Sequence, residues 1–233
     1  MSSLISALPT FYHSSIGKKF LVALTGGFLV LFVLGHMIGN LLIFKGPDAI
    51  NEYGHMLQSA GHGMLVWVAR LFIFGAIGVH AWATISLTRA NRLARVDRYA
   101  RHTPQASTVS SRTMIFSGLT ILAFFIYHIL HFTVHAGNDY GSYMTTVDGV
   151  PVHDVYRMVI AGFSWLPASV FYVIAMTLLC SHLSHGVSSM FQTLGLNTEK
   201  TAPFYKTVGR AYALVILVGN CSIPIAVYFH FVR

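Results

Sequence analysis

Histidine is the residue whose placement could do chemistry here. Thirteen occur in 233 residues, and His36, His80, His128 and His182 each fall in a separate long apolar stretch. An ionisable ring inside a bilayer is costly, so such residues are rare and usually functional. A neutral imidazole binds iron through one ring nitrogen. Two imidazoles on one iron fill both axial positions and leave a centre suited to electron transfer rather than oxygen chemistry. Four imidazoles on four spans therefore read as two haem b groups held between helices. The rival uses are a proton relay or an ion path. Zinc is a poorer fit, because no carboxylate or thiolate lies at those depths and no HExxH occurs. His131 follows His128 by three residues and His185 follows His182 by three, each on its neighbour's helical face. Depth alone leaves both choices open, and the second ring of each couple could bond a propionate or face a quinone.

The composition says what must position these rings. The chain is 55 % hydrophobic and 9 % charged, with a mean hydropathy of +0.63, whereas a soluble domain carries roughly 25 % charged residues. An all-α, polytopic membrane protein forming a single domain over residues 1–233 is expected. Five stretches reach the roughly 20 residues that a membrane-crossing helix needs: about 20–44, 63–87, 114–134, 166–190 and 208–232. Trp165 and Pro167 mark the start of the fourth, and Pro224 is expected to bend the end of the fifth. Cys180 and Cys221 lie inside spans with no CxxC, so neither disulfide nor thiol chemistry is expected. No signal-peptide pattern precedes Lys18 and Lys19, and no internal repeat stands out.

Loop charge gives orientation. The second connection holds Arg89, Arg92, Arg95, Arg98, Arg101 and Arg112 against Asp97. Lys18 and Lys19 precede the first span, and Lys200, Lys206 and Arg210 precede the fifth or open it. The other connections hold Asp48, Glu52, Asp139, Asp148 and Asp154 against Lys45 and Arg157. The positive-inside rule then predicts a cytoplasmic N-terminus and an outside C-terminus. This clustering also argues against reading the net charge of +8 as a nucleic-acid surface. The basic connections set topology and meet anionic lipid, and could in addition dock a soluble partner.

At 1.5 Å per helical residue the four histidines sort into two depths. His36 lies 17 residues past Lys19 and His128 16 past Arg112, about 25 Å from the inner face. His80 lies 9 residues before Arg89 and His182 comes at a similar depth, about 13 Å from that face. The outer pair is thus His36–His128 and the inner pair His80–His182. Gly35, Gly39, Gly75 and Gly78 could let a porphyrin approach the helices, or could simply ease helix packing. Arg70, in the outer part of the second span, could meet an outer-haem propionate or pack at the surface. Lys18, Lys19 and Arg89 could serve the inner haem in the same way. Ser14 or Ser15 with Lys18 could form part of a quinone pocket, or a serine there could cap the first helix. His13, His55, His62, His102, His153 and His230 are expected in loops or at helix ends. No Asp or Glu lies well inside a span, so no carboxylate-lined proton path is expected.

With these residues in view, the chain resembles the five-helix, di-haem cytochrome b subunits of succinate dehydrogenases and fumarate reductases. The resemblance covers nearly the whole chain. It rests on Gly35-His36-Met37-Ile38-Gly39-Asn40, Val79-His80-Ala81, Tyr127-His128, and Ser181-His182-Leu183-Ser184-His185-Gly186, in that order and on those spans. It implies His36, His80, His128 and His182 as axial ligands of two haems b. The second and fourth spans would bind the haem nearer the soluble subunits, with His131 and His185 accessory. It also implies two partners, an iron–sulfur subunit and a flavoprotein that handles succinate or fumarate, since this chain has no dinucleotide fingerprint or cysteine cluster. The remaining implications are a membrane quinone, menaquinone by family habit, and residence in a bacterial cytoplasmic membrane. The alternatives are a cytochrome b anchor for a hydrogenase or formate dehydrogenase, and a haem-free transporter that relays protons through histidine.

Overall fold

The computed structural model describes residues 14–94 and 109–233. Arg95, Asp97, Arg98, Arg101, His13 and His102 lie outside them. Five helices are long and apolar enough to cross a membrane, as expected of a multi-pass membrane protein. In chain order, α1 is Ser15–Asn40, α2 Pro47–Ser59, α3 Met64–Leu93, α4 Val109–Phe132, α5 Val155–Ser164, α6 Leu166–Thr193 and α7 Ala202–Tyr228. The crossing helices are α1, α3, α4, α6 and α7.

Their ends differ from the hydropathy boundaries for local reasons. The first helix begins five residues before 20 because the Ser14 hydroxyl accepts the Gly17 N–H at 2.9 Å; Ser14 is thus a helix cap. It then tightens into a 3-10 turn over Leu41–Lys45. Helix α3 runs on to Leu93, so Arg89 and Arg92 sit on the helix rather than in a loop, their long stems able to carry the charge outward. Helix α4 opens at Val109 and carries Arg112. Helix α7 opens at Ala202 with Pro203 in its first turn, taking Lys206 and Arg210 onto the helix, and ends at Tyr228.

Three elements between the spans escape a hydropathy reading because they are short and amphipathic. One is α2. The second is a hairpin of β1 (Met144–Val147) and β2 (Val150–His153), paired antiparallel with Val147 opposite Val150. Its two-residue turn is Asp148-Gly149, with φ of 50° and 79°, a residue pair that suits a tight hairpin turn. The third is α5, capped by Asp154, whose carboxylate accepts the Arg157 N–H at 2.9 Å. Buried Asn51 on α2 ties them together: its amide donates to Asp154 at 3.1 Å and its oxygen accepts the Tyr156 N–H at 3.0 Å. The Tyr156 hydroxyl donates to the Arg233 carbonyl at 2.5 Å, so the C-terminus shares this capped end.

Helices α1, α3, α4 and α6 form a four-helix bundle. Helix α1 packs on α3 and α6, and α4 packs on α6. The α3–α4 side is loosely joined, and the diagonals α1–α4 and α3–α6 are not packing neighbours. Helix α7 braces the bundle from outside, packing closely on α6 and donating from the Tyr212 hydroxyl to the Val30 carbonyl of α1 at 2.5 Å. Buried Met37, Leu183, Ala213 and Ile216 fill the space between α1, α6 and α7. Trp67 and Trp165 are exposed near the capped end. Trp82, about 22 Å along α3 from Trp67, lies 5.9 Å beneath the Lys18 ammonium near the opposite end, so tryptophans mark both edges of the apolar belt.

Gly209 sets the α6–α7 approach, because a Cβ there would lie 2.7 Å from the Ser184 carbonyl oxygen. Small residues permit such backbone contact between membrane helices. Gly209→Ala is expected to force the two helices apart and destabilise the fold by about 1–3 kcal/mol, read as a lowered Tm of the detergent-solubilised protein.

Candidate functional site: two imidazole pairs on the bundle axis

Four histidines point inward from the four bundle helices. His80 on α3 and His182 on α6 face each other with ring centroids 6.5 Å apart and planes 62° apart. His36 on α1 and His128 on α4 do the same at 5.7 Å and 87°. Each pair spans a diagonal whose helices barely approach, so the imidazoles meet on the axis across space the backbones leave open.

The inner pair is held by hydroxyls from the other two helices. The Thr25 hydroxyl of α1 lies 3.1 Å from Nδ1 of His80, and the Ser117 hydroxyl of α4 lies 3.2 Å from Nδ1 of His182. Thr25 donates its own hydrogen to the Leu21 carbonyl at 2.6 Å, and Ser117 donates to that of Met114 at 3.1 Å. Each hydroxyl has one hydrogen to give, and with it on the carbonyl the oxygen is free to accept from a ring N–H. In that arrangement both imidazoles carry hydrogen on Nδ1 and keep the Nε2 lone pair. Gly26 lets α1 lie against His80, where a Cβ would sit 3.2 Å from Cε1; Gly118 does the same for His182 at 3.4 Å.

The same helices give the separation of the levels. His36 lies 11 residues beyond Thr25 and His128 11 beyond Ser117, each about 16 Å along its helix. A matching pattern runs through both: Thr25-Gly26, Phe32, His36 in α1 and Ser117-Gly118, Phe124, His128 in α4. Phe32 stacks on His36 at 5.5 Å, and Phe124 lies against His128 at 6.0 Å. This is an internal repeat where none was expected, invisible to composition because only four positions recur.

At the outer level the partner is Tyr172 of α6. Its hydroxyl lies 3.2 Å from Nδ1 of His128 and 3.2 Å from Nδ1 of His131. Phe124 and Phe163 box its ring edge-on, each at 4.9 Å. His131 is buried, and this one oxygen links it to His128. Among the described residues, His36 has ring neighbours but no hydrogen-bond partner.

The geometry can be tested against a metal between the rings. A metal–imidazole bond of about 2 Å and about 1 Å from ring nitrogen to centroid place two axial imidazoles on one metal about 6 Å apart. Both observed spacings lie near that value. Two rings that each offer a lone pair cannot hydrogen-bond to each other, so the inner pair calls for a shared cation or an inserted donor. An iron held by Nε2 from each side, with Nδ1 fixed by a hydroxyl, meets both needs. Gly35, Gly75 and Gly78 border open space, while Gly39 is occupied by packing: a Cβ there would meet the Tyr53 ring. These residues fit two haems.

The Arg70 guanidinium lies 4.9 Å over the Trp67 ring and lines a cavity of about 560 Å³ with His55, His135, His153, Gln58 and Phe132. Arg89 and Arg92 line a smaller groove, about 280 Å³, between α3 and α4. Lys18 rests over Trp82. His185 shares α6 with His182, with no ring partner among the described residues. Thr25, Ser117, Tyr172, Gly26 and Gly118 were not singled out from the sequence, since hydroxyls and glycines are ordinary in membrane helices. No family model, curated protein or solved structure matches the chain.

At the capped end, His135 and His153 stack with centroids 5.4 Å apart. Burial lowers the His153 pKa from its ordinary 6.5, and the neighbouring His135 lowers it further, against opposing contributions from Tyr143 and Asp154. The folded state then binds this proton less tightly than the unfolded chain. Stability is complete above pH 6.5 and falls as pH drops from there toward the depressed value. Thermal unfolding is expected to show this loss on the acid side, and His153→Gln to reduce it.

Proposed function

We propose that this chain is the two-haem cytochrome b subunit of a succinate:quinone oxidoreductase, joining an iron–sulfur subunit to a membrane quinone. The observation that carries the haem reading is the meeting of four imidazoles in two couples on the bundle axis, at the spacing one iron needs. The order and placement of the histidine motifs support the family. When bound, each bis-imidazole haem supplies a one-electron carrier closed to oxygen.

The chain's own groups then have distinct tasks. His80 and His182 would hold the inner iron, with Thr25 and Ser117 fixing their rings through Nδ1. His36 and His128 hold the outer one. Arg89, Arg92, Lys206 and Arg210 lie toward the end opposite the cap, where they set a cytoplasmic N-terminus and offer a docking face to the iron–sulfur subunit, with the flavoprotein beyond it. The capped end then lies outside a bacterial cytoplasmic membrane. The cavity beside Phe132 lies in the size range of small-molecule sites, and Arg70, His55, His135 and Gln58 can donate to quinone oxygens there. Menaquinone is the expected substrate by resemblance.

Pyridine haemochrome analysis of the purified complex is expected to give two haems b per chain. His80→Ala and His182→Ala should each remove the same haem, and His36→Ala and His128→Ala the other. Zero haems would leave a histidine relay as the surviving reading. Flavoprotein and iron–sulfur subunits should co-purify; a hydrogenase or formate dehydrogenase in their place would keep the haems and change the partner.

A further inference from the structure

The two levels differ in where their hydrogen bonds end. At the inner level both Nδ1 atoms reach a hydroxyl whose hydrogen goes to a backbone carbonyl of its own helix. Those chains are closed after one step. At the outer level one hydroxyl, Tyr172, lies between two Nδ1 atoms at equal distance. A phenol has one hydrogen to give and oxygen lone pairs to receive, so it accepts from one ring and donates to the other.

Resting on the haem reading above, we propose that Tyr172 is the positioning residue of the outer centre, coupling His128 to the buried His131. With Nε2 of His128 committed to iron, its hydrogen lies on Nδ1 and is donated to the Tyr172 oxygen. The Tyr172 hydroxyl then donates to Nδ1 of His131, which carries its own hydrogen on Nε2. Each bond in such a chain polarises the next: the bond to His131 makes the phenol oxygen a stronger acceptor, and that raises the basicity of His128 as a ligand. A more basic ligand favours the oxidised metal.

The surroundings hold this arrangement in place. Tyr172 is buried and boxed by Phe124, Phe163, Phe132 and Tyr127, and among the described residues its hydroxyl meets only His128 and His131. The His131 ring lies among Phe132 at 4.1 Å, Tyr127 at 5.3 Å and Tyr140 at 5.7 Å, and Gly162 of α5 gives it room, a Cβ there falling 3.3 Å from its Cε1. Among the described residues, the titratable groups facing it are thus Tyr127, Tyr140, Tyr172 and His128. Among the described residues His36, across the axis, has no such chain, so the coupling enters the outer centre from one side.

Redox titration of the purified complex, followed in the haem absorption bands, tests this. The outer haem is assigned as the one missing from His36→Ala. Tyr172→Phe is expected to retain two haems and raise the midpoint potential of the outer haem alone. His131→Phe, which leaves the tyrosine in place, is expected to raise the same potential by less. Ser117→Ala is expected to raise the other. Potentials unchanged in Tyr172→Phe, or a shift in the haem that Ser117→Ala moves, would overturn the proposal while leaving the two-haem reading intact. An unchanged outer potential in His131→Phe would overturn the onward bond to His131. Wild-type complex with no haem would fail the underlying reading instead.

Discussion

A polar ring turned into the axis of an apolar bundle needs partners and room, and much of this bundle follows from that constraint. In three of the four paired histidines one nitrogen meets a hydroxyl, and the pairs are turned toward each other across the diagonals. Helices that touched along those diagonals would close the space between the rings. The backbones stay apart there, and the packing that holds them is placed elsewhere: α7 against α6, the Tyr212 bond to α1, and the cap of α2, hairpin and α5 built around Asn51. The close helix packing thus lies at the periphery while the axis stays open.

The repeat shared by α1 and α4 shows how the constraint is met twice with one pattern. In each helix a hydroxyl–glycine pair serves the inner histidine of another helix, and a histidine 11 residues on serves the outer level. Helices α3 and α6 answer with His80 and His182. The near two-fold arrangement holds at the inner level and breaks at the outer one, where Tyr172 and His131 stand on the His128 side only. Beyond His131, ring neighbours Tyr140, His135 and His153 lead toward the outer cavity. The asymmetric level is the one beside the cavity of about 560 Å³.

Much of this was legible in the sequence. Hydropathy located five spans, because lipid imposes a length that no other environment requires. Counting residues from the basic flanks placed the histidines at two depths, because a helix converts sequence to distance almost linearly. The same counting could not choose between His128 and His131, which differ by less than a turn; here His131 meets Tyr172, while His128 also faces His36. Thr25 and Ser117 were hidden because a hydroxyl in a membrane helix usually bonds its own backbone, as both of these do; their second bond exists only in three dimensions. The cap was missed because α2 and α5 are too short for a hydropathy window, although Asp148-Gly149 was a readable hairpin signal. Glycine was the weakest guide: Gly39 packs on Tyr53, and the glycines that lie against the inner histidines are Gly26 and Gly118.

The central claim is that each pair of facing imidazoles shares one iron. Low-temperature electron paramagnetic resonance of the oxidised, purified protein tests it most directly, because axial ligation sets the spin state of ferric haem. Two imidazole pairs predict two low-spin ferric signals of equal weight. A dominant high-spin signal, or a single low-spin signal, would mean that at least one pair does not close on a metal.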